Sequence, residues 1–97
     1  MKKGYWIVRV SVHNEENYPT YVEAAKPAFE KYNARFIVRG GRCEGMEGPH
    51  RERNVVVEFK DYETAHACYK SPEYSAALAI RQANAEAEMV IVEGPET

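Results

Sequence analysis

Gly4-Tyr5-Trp6-Ile7-Val8-Arg9-Val10-Ser11-Val12-His13, followed at once by Asn14-Glu15-Glu16-Asn17, is the stretch on which the fold turns. Trp6, Val8, Val10 and Val12 fall on one face of an extended chain, and Tyr5, Ile7, Arg9 and Ser11 fall on the other. Period-two alternation, with β-branched residues on the first face, predicts a strand that packs one side on a core. The Asn-Glu-Glu-Asn run breaks the alternation and supplies helix caps. From Tyr18 to Tyr32 the period changes. Tyr18, Val22, Ala25, Phe29 and Tyr32 are spaced by four, three, four and three, which makes one helical stripe. Pro19 suits a first turn. Pro27 lies in the helix interior, removes a hydrogen bond and predicts a kink, at a cost of about 3 kcal/mol if nothing compensates. Asn33 accepts the left-handed conformation that ends a helix.

Downstream the two periods recur. Ala34 to Gly40 predicts a second strand, with Phe36 and Val38 on one face and Arg35, Ile37 and Arg39 on the other. Gly41, Gly45 and Gly48-Pro49 mark a hairpin connection, with room for a bulge. Arg53 to Lys60 predicts the third strand, with Val55, Val57 and Phe59 opposite Val56 and Glu58. Asp61 caps a helix over Tyr62 to Tyr69, which buries Ala65, Cys68 and Tyr69. Ser71-Pro72-Glu73 repeats the starting signal and opens a second short helix to about Ala83. Ala87 to Glu93 predicts the last strand, and Gly94 to Thr97 a loose tail. The order βαββαβ predicts an α+β, ferredoxin-like domain: one four-stranded antiparallel sheet with its helices on one face.

Composition bounds the function. A chain of 97 residues is one domain. It buries only roughly 60–65% of the surface that its unfolded form exposes, so self-association adds useful burial. Seven tyrosines and one tryptophan suit surfaces that are apolar on one side and wet on the other. A net charge of −2 with intermixed signs argues against nucleic-acid and anionic-membrane surfaces. No apolar run is long enough to span a bilayer and no secretory signal opens the chain, so a cytoplasmic protein is expected. There Cys43 and Cys68 stay reduced. His13, His50 and His66 form no metal-binding spacing with each other or with the cysteines, and no cofactor is called for.

The sheet face away from the helices is the informative one. By alternation it carries Tyr5, Ile7, Arg9, Ile37, Arg39, Val56 and Glu58. A solvated face does not need the isoleucines, and a dry core does not want the charges. The mixture fits a sheet stacked on a second copy of itself around a partly polar cavity. Arg39 and Glu58 fall on neighbouring strands, with Arg9 one strand further on. They read as a cross-strand ion pair that sets register and dimer orientation. They also read as a site in which Arg39 or Arg9 anchors a carboxylate or enolate and Glu58 moves a proton. Arg39-Gly40-Gly41 is either an anion cradle or a bulge at a strand end. Tyr69 and Tyr74 flank the Ser71-Pro72 helix start and either line a pocket or pack that helix on the sheet. Arg81 is a surface residue, or turns back to the helix start or to a partner chain. Cys68 has no base beside it and reads as a buried, inert thiol.

Together, Gly4-Tyr5, Tyr18, Tyr21, Arg35-Phe36, Arg39-Gly40-Gly41, Glu47-Gly48, Arg53, Glu58-Phe59, Tyr69, Ser71-Pro72-Glu73-Tyr74, Arg81 and Val92-Glu93-Gly94 carry a family resemblance. From Gly4 to Gly94 the chain resembles domain-of-unknown-function family 1330, within the dimeric α+β barrel superfamily. The resemblance implies a homodimer built face to face through its sheets, with a cavity beside each sheet. The wider superfamily includes cofactor-independent monooxygenases, muconolactone isomerases, heme-degrading enzymes and stress-response proteins. Two departures stand out: Asn33-Ala34 where Gly-Gly is common, and Cys68 where a bulky aromatic is common.

Three functions follow. One is a cofactor-independent enzyme, oxygenase-like or isomerase-like, acting on a small apolar or aromatic acid. Its catalytic residues are Glu58 and Arg39, and Tyr5, Arg9, Gly40, Tyr69, Tyr74 and Arg81 bind the ligand. The others are a non-catalytic small-ligand module and a purely structural dimer. RNA binding is set aside, because Arg53-Asn54-Val55-Val56-Val57-Glu58-Phe59 lacks the basic and aromatic pattern of an RNA-recognition strand.

Overall fold

The computed structural model describes residues 1–97. Its elements are β1 (Lys2–Val12), α1 (Tyr18–Lys31), β2 (Arg35–Arg39), β3 (Arg53–Phe59), α2 (Tyr62–Lys70), α3 (Pro72–Asn84) and β4 (Ala85–Glu96). The strands form one antiparallel sheet in the order β2-β3-β1-β4. This is the ferredoxin-like arrangement, with β1 central and hydrogen-bonded to both β3 and β4. No helix is long and apolar enough to cross a membrane.

Alternation places the core. Trp6, Val8, Val10, Val55, Val57 and Phe59 are buried under the helices, where they meet Tyr21, Ala25, Ala28, Ala65, Cys68, Tyr74 and Ala77. Trp6 is the hub. Its indole Nε1 donates to the Ala65 carbonyl at 2.8 Å. Phe29, Phe59, Tyr69 and Tyr74 surround its ring at centroid distances of 5.5, 5.2, 5.8 and 5.0 Å. The three T-shaped contacts, to Phe29, Tyr69 and Tyr74, set aromatic edges against faces, a geometry that adds to the gain from burial alone.

The caps of α2 and α3 behave as read, whereas Asn17 at the start of α1 makes no side-chain cap hydrogen bond. Asp61 accepts from the Thr64 backbone N–H at 2.8 Å, and Ser71 Oγ accepts from the Tyr74 backbone N–H at 3.1 Å. Asn33 takes the left-handed conformation, with φ 54°, so it serves where the family often has glycine. Cys68 is completely buried and its Sγ points at the Ala28 carbonyl, 3.8 Å away, so α1 fills the space of the missing aromatic. Helix α1 continues through Pro27, which lies on the solvent side, as does Glu23 four residues earlier. Water can therefore satisfy the carbonyl that the proline leaves free.

Two expectations are corrected, the tail and the place of the bulge. The loose tail is instead strand. Beyond a register shift at Lys2/Gly4, Lys2 pairs with Glu96. Pro95 is tolerated there because β4 is an edge strand. The β2–β3 hairpin forms as read, through a long, largely exposed connection, residues 40–52. It is tied back to the sheet by Arg9 Nη2 to the Pro49 carbonyl (2.7 Å), by Ser11 Oγ to Glu52 (3.0 Å) and by a two-pronged Arg51–Glu88 pair (2.6 Å each). The bulge lies inside β2. Phe36 pairs with Val57 but Val38 pairs with Val56, so Ile37 is an extra residue. One inserted residue reverses the facing of everything beyond it. Val38 therefore turns to the open face, and Arg39, opposite Val55, turns under the helices.

Candidate functional site

That reversal decides where chemistry can sit. Arg39 and Glu58 do not meet. Glu58 is on the open face, where it accepts from the Tyr5 hydroxyl at 3.3 Å and pairs with Arg35 at 3.6 Å. A cross-strand ion pair does form, but with Arg35 in place of Arg39. Arg9 is on the same open face and anchors Pro49. Tyr5 is there too, its ionisation held back first by desolvation and then by the Glu58 charge.

Arg39 instead joins a pocket between the sheet and helices α1 and α3. Trp6, Val8, Val10, Val22, Ala25, Phe29, Phe36, Val55 and Val57 make its apolar walls, Tyr18 and Tyr21 add hydroxyls, and Arg39, Arg53 and Arg81 add charge. The lining contains no Asp, Glu, His or Cys. The cavity is partly open and approximately 40 Å³, room for about three water molecules.

Each arginine has a distinct setting. Arg39 is exposed, and its guanidinium lies 3.9 Å from the centre of the Phe36 ring. Arg53 is half-buried, with its guanidinium 5.7 Å from the Tyr18 ring and its Nε enclosed without a hydrogen-bond partner. Arg53 and Tyr18 also border the shallow outer depression formed with Gly40 and Glu52, so they stand at the mouth. Arg81 is buried at 6% exposure. It projects from the last turn of α3, back toward the start of that helix, and Nη1 donates to the Tyr74 hydroxyl at 3.3 Å. No carboxylate pairs with any of the three. A buried guanidinium without a counter-ion is costly, and a small anion removes that cost.

The remaining candidates serve as supports. Gly40 has φ 67°, and a Cβ there would come within 2.4 Å of the Arg53 guanidinium, so this glycine lets Arg53 lie against the backbone. Tyr74 is fully buried behind the pocket, 2.8 Å by its hydroxyl from that of Tyr21. Its own ionisation is pushed strongly up, first by burial and then by Tyr21. Tyr69 packs against Trp6 and Tyr74 and borders a separate shallow hollow with His66, Lys70, Met89 and Ile91. Burial pushes the Cys68 thiol up to about 12, as suits an inert group. Arg53, Tyr18 and Tyr21 belong to the pocket but were not among the site residues read from sequence. Arg53 shares the odd-numbered parity of Val55 and Val57, which was the available signal.

A ferredoxin-like α+β domain with an arginine-lined pocket between sheet and helices is thus the class that the geometry defines. The chain matches the sequence pattern of the domain-of-unknown-function family DUF1330 over residues 3–95, and it belongs to that family. Among solved structures it is similar to a Rhodopseudomonas palustris protein of unknown function, RPA0582, at 16% identity and TM-score 0.78, covering 98% of this chain and 84% of that one. It is also similar to SnoaB, a cofactor-independent oxygenase from Streptomyces nogalater, at 11% identity and TM-score 0.67, covering 100% and 97%. A third likeness is to a dimeric ferredoxin-like protein of unknown function from Bacteroides fragilis, at 16% identity and TM-score 0.55, covering 94% and 95%. No curated protein matches the chain. At these identities the likenesses establish the fold.

Proposed function

We propose that the pocket under α1 and α3 binds a small, largely apolar acid and that the protein acts on it without a cofactor. The observation that carries this reading is the convergence of Arg39, Arg53 and Arg81 on an apolar cavity with no carboxylate in its lining. Arginine suits a carboxylate or enolate because its planar fork gives paired hydrogen bonds. In a dry pocket such donors also favour negative charge that develops during a reaction, which suits an enolate whose α-proton has been given up to water, since the lining holds no carboxylate, imidazole or thiol to take it. The likeness to a cofactor-independent oxygenase agrees with this class of chemistry. A cavity of about three waters is smaller than such an acid, so binding requires the side chains at its mouth, the exposed Arg39 first, to swing outward. In this reading Arg39 and Arg53 anchor the acid, Arg81 supplies charge at the inner end, and Gly40 and Tyr74 position the arginines.

The assembly is a homodimer through the open sheet faces. Ile7, Val38, Val90 and Val92 remain 39%, 44%, 57% and 40% exposed on that face, and contiguous apolar surface of this kind marks an interface. The dimeric state described for the Bacteroides fragilis neighbour points the same way.

The test is a panel of short-chain and aromatic acids screened by thermal shift, followed by a search for oxygen uptake or proton exchange with each binder. Binding that is lost in Arg53→Gln supports the site. Binding without turnover moves the protein to the alternative reading, a ligand-binding module. No binding by any acid overturns the proposal.

A further inference from the structure

Three groups at the inner end of the pocket form a hydrogen-bonded chain whose proton directions can be worked out. Arg81 has donors only, so its Nη1 must donate to the Tyr74 oxygen. Tyr74 is completely enclosed, and the one other hydrogen-bonding group its hydroxyl meets is the Tyr21 hydroxyl at 2.8 Å. Tyr74's own proton therefore goes to the Tyr21 oxygen, since any other arrangement strands a buried O–H. Tyr21 in turn must find an acceptor elsewhere, and it lines the pocket. No bond to a lining residue uses that proton: the charged side chains there are arginines, and the other hydroxyl, on Tyr18, makes no hydrogen bond to Tyr21 although the two rings pack at 5.3 Å.

We infer that Tyr21 is a primed hydrogen-bond donor for a carbonyl or enol oxygen, and that the ligand is an acid carrying this second oxygen. The inference rests on the acid-binding reading above and deepens it. The carboxylate lies at the mouth with Arg39 and Arg53, a short apolar body crosses the waist, and the second oxygen meets Tyr21 at the inner end. Each bond in the chain polarises the next, from the Arg81 charge through Tyr74 to Tyr21, which strengthens the last donor. Burial holds Tyr21 protonated, while the Tyr74 hydroxyl and the Arg81 charge act against that, so the proton is retained and polarised. A plain acid of the same shape leaves the Tyr21 proton unmatched, and rejection of an analogue that lacks a needed oxygen is the strongest discrimination a small pocket achieves.

The experiment compares two matched pairs by NMR titration: butanoate with 2-oxobutanoate, and 3-phenylpropanoate with phenylpyruvate. In the wild-type protein the oxo member of at least one pair binds about tenfold tighter or more, as one well-made bond to a buried donor requires. Tyr21→Phe removes a single oxygen; it should bring the two members within about twofold while the plain acid keeps its affinity. Tyr74→Phe keeps the Tyr21 hydroxyl but severs it from Arg81, and gives an intermediate ratio. Equal binding within both wild-type pairs overturns the second-oxygen inference and leaves the acid site standing. A preference that survives Tyr21→Phe also overturns it. If none of the four acids binds, the acid site itself fails and the inference with it. Should Tyr21→Phe lose its folded amide spectrum, the wild-type ratios and Tyr74→Phe decide the matter.

Discussion

The two faces of one sheet have taken opposite courses from the same alternation. Under the helices, Trp6 and Val57 are each 1% exposed and the packing is aromatic and tight, yet three arginines enter that layer. On the open face Ile7 and Val90 stay 39% and 57% exposed, yet every charge nearby has a partner: Arg35 with Glu58, Arg51 with Glu86 and Glu88, Arg9 with Pro49. On the face that looks polar in sequence, the charges are paired with opposite charges or, for Arg9, tied to a backbone carbonyl. The face that looks like plain core is the one with charge unspent. Unmatched charge in a dry place, rather than charge as such, is what points to a ligand.

The comparison can be broken most severely at the hub. Trp6→Ala opens a large cavity, strips an aromatic cluster and frees the Ala65 carbonyl, so urea melts should show a loss of about 3–5 kcal/mol. A loss below about 1 kcal/mol contradicts the placement of the core. Next comes the open face. Ile7→Lys should convert a dimer to a folded monomer in native mass spectrometry with the pocket intact; a persistent dimer places the interface elsewhere.

Arg81→Met sharpens the contrast from the other side. Removing a buried charge that has no counter-ion should leave the melting temperature unchanged or higher, while acid binding falls at least about tenfold. A lower melting temperature with unchanged binding makes Arg81 structural. Glu58→Gln should have a smaller effect, about 0.5 kcal/mol or less, because its partner Arg35 is largely exposed. Pocket binding should not change; if turnover vanishes instead, the reaction takes place between stacked sheets.

The pH dependence is smaller still and does not distinguish the faces. Glu73 is held below the usual carboxylate range by a backbone hydrogen bond and then by Lys31, Asp61 by its hydrogen bonds from Thr64, and Glu88 by Arg51. A depressed folded pKa means stability that is complete above the ordinary values of 4.5 for Glu and 3.8 for Asp and is lost as pH falls through the lower folded values. Melting temperatures should be flat from neutrality to about pH 5 and decline below it. A decline beginning near pH 6.5 implicates a histidine instead.

The order of elements and the core face were legible because periods of two and of about 3.6 are written directly in Trp6 to Val12 and in Tyr18 to Tyr32. The tail was not, since its pairing depends on β1 lying beside it and Gly94-Pro95 carries no strand propensity of its own. The site was half legible. Arg81 and Tyr74 are seven residues apart, two helical turns, so a shared face could be read. Arg39 could not be placed, because a bulge is a property of two strands together, and Phe36-Ile37-Val38 reads equally well straight or kinked. Counting on uninterrupted alternation put Arg39 beside Glu58, and the extra residue at Ile37 carried it through the sheet.

The central position of β1 also has a consequence in time. Its partners, β3 and β4, both follow it in the chain, β4 as late as Ala85–Glu96, so β1, made before either, is among the last to be fully paired. Until then Trp6 through Val12 is an apolar segment with both edges free, the condition under which nascent chains stick to one another. Closure over such distances makes folding slower than that of a helical domain of this size, and a molecule that holds β1 during synthesis should raise the yield of native protein.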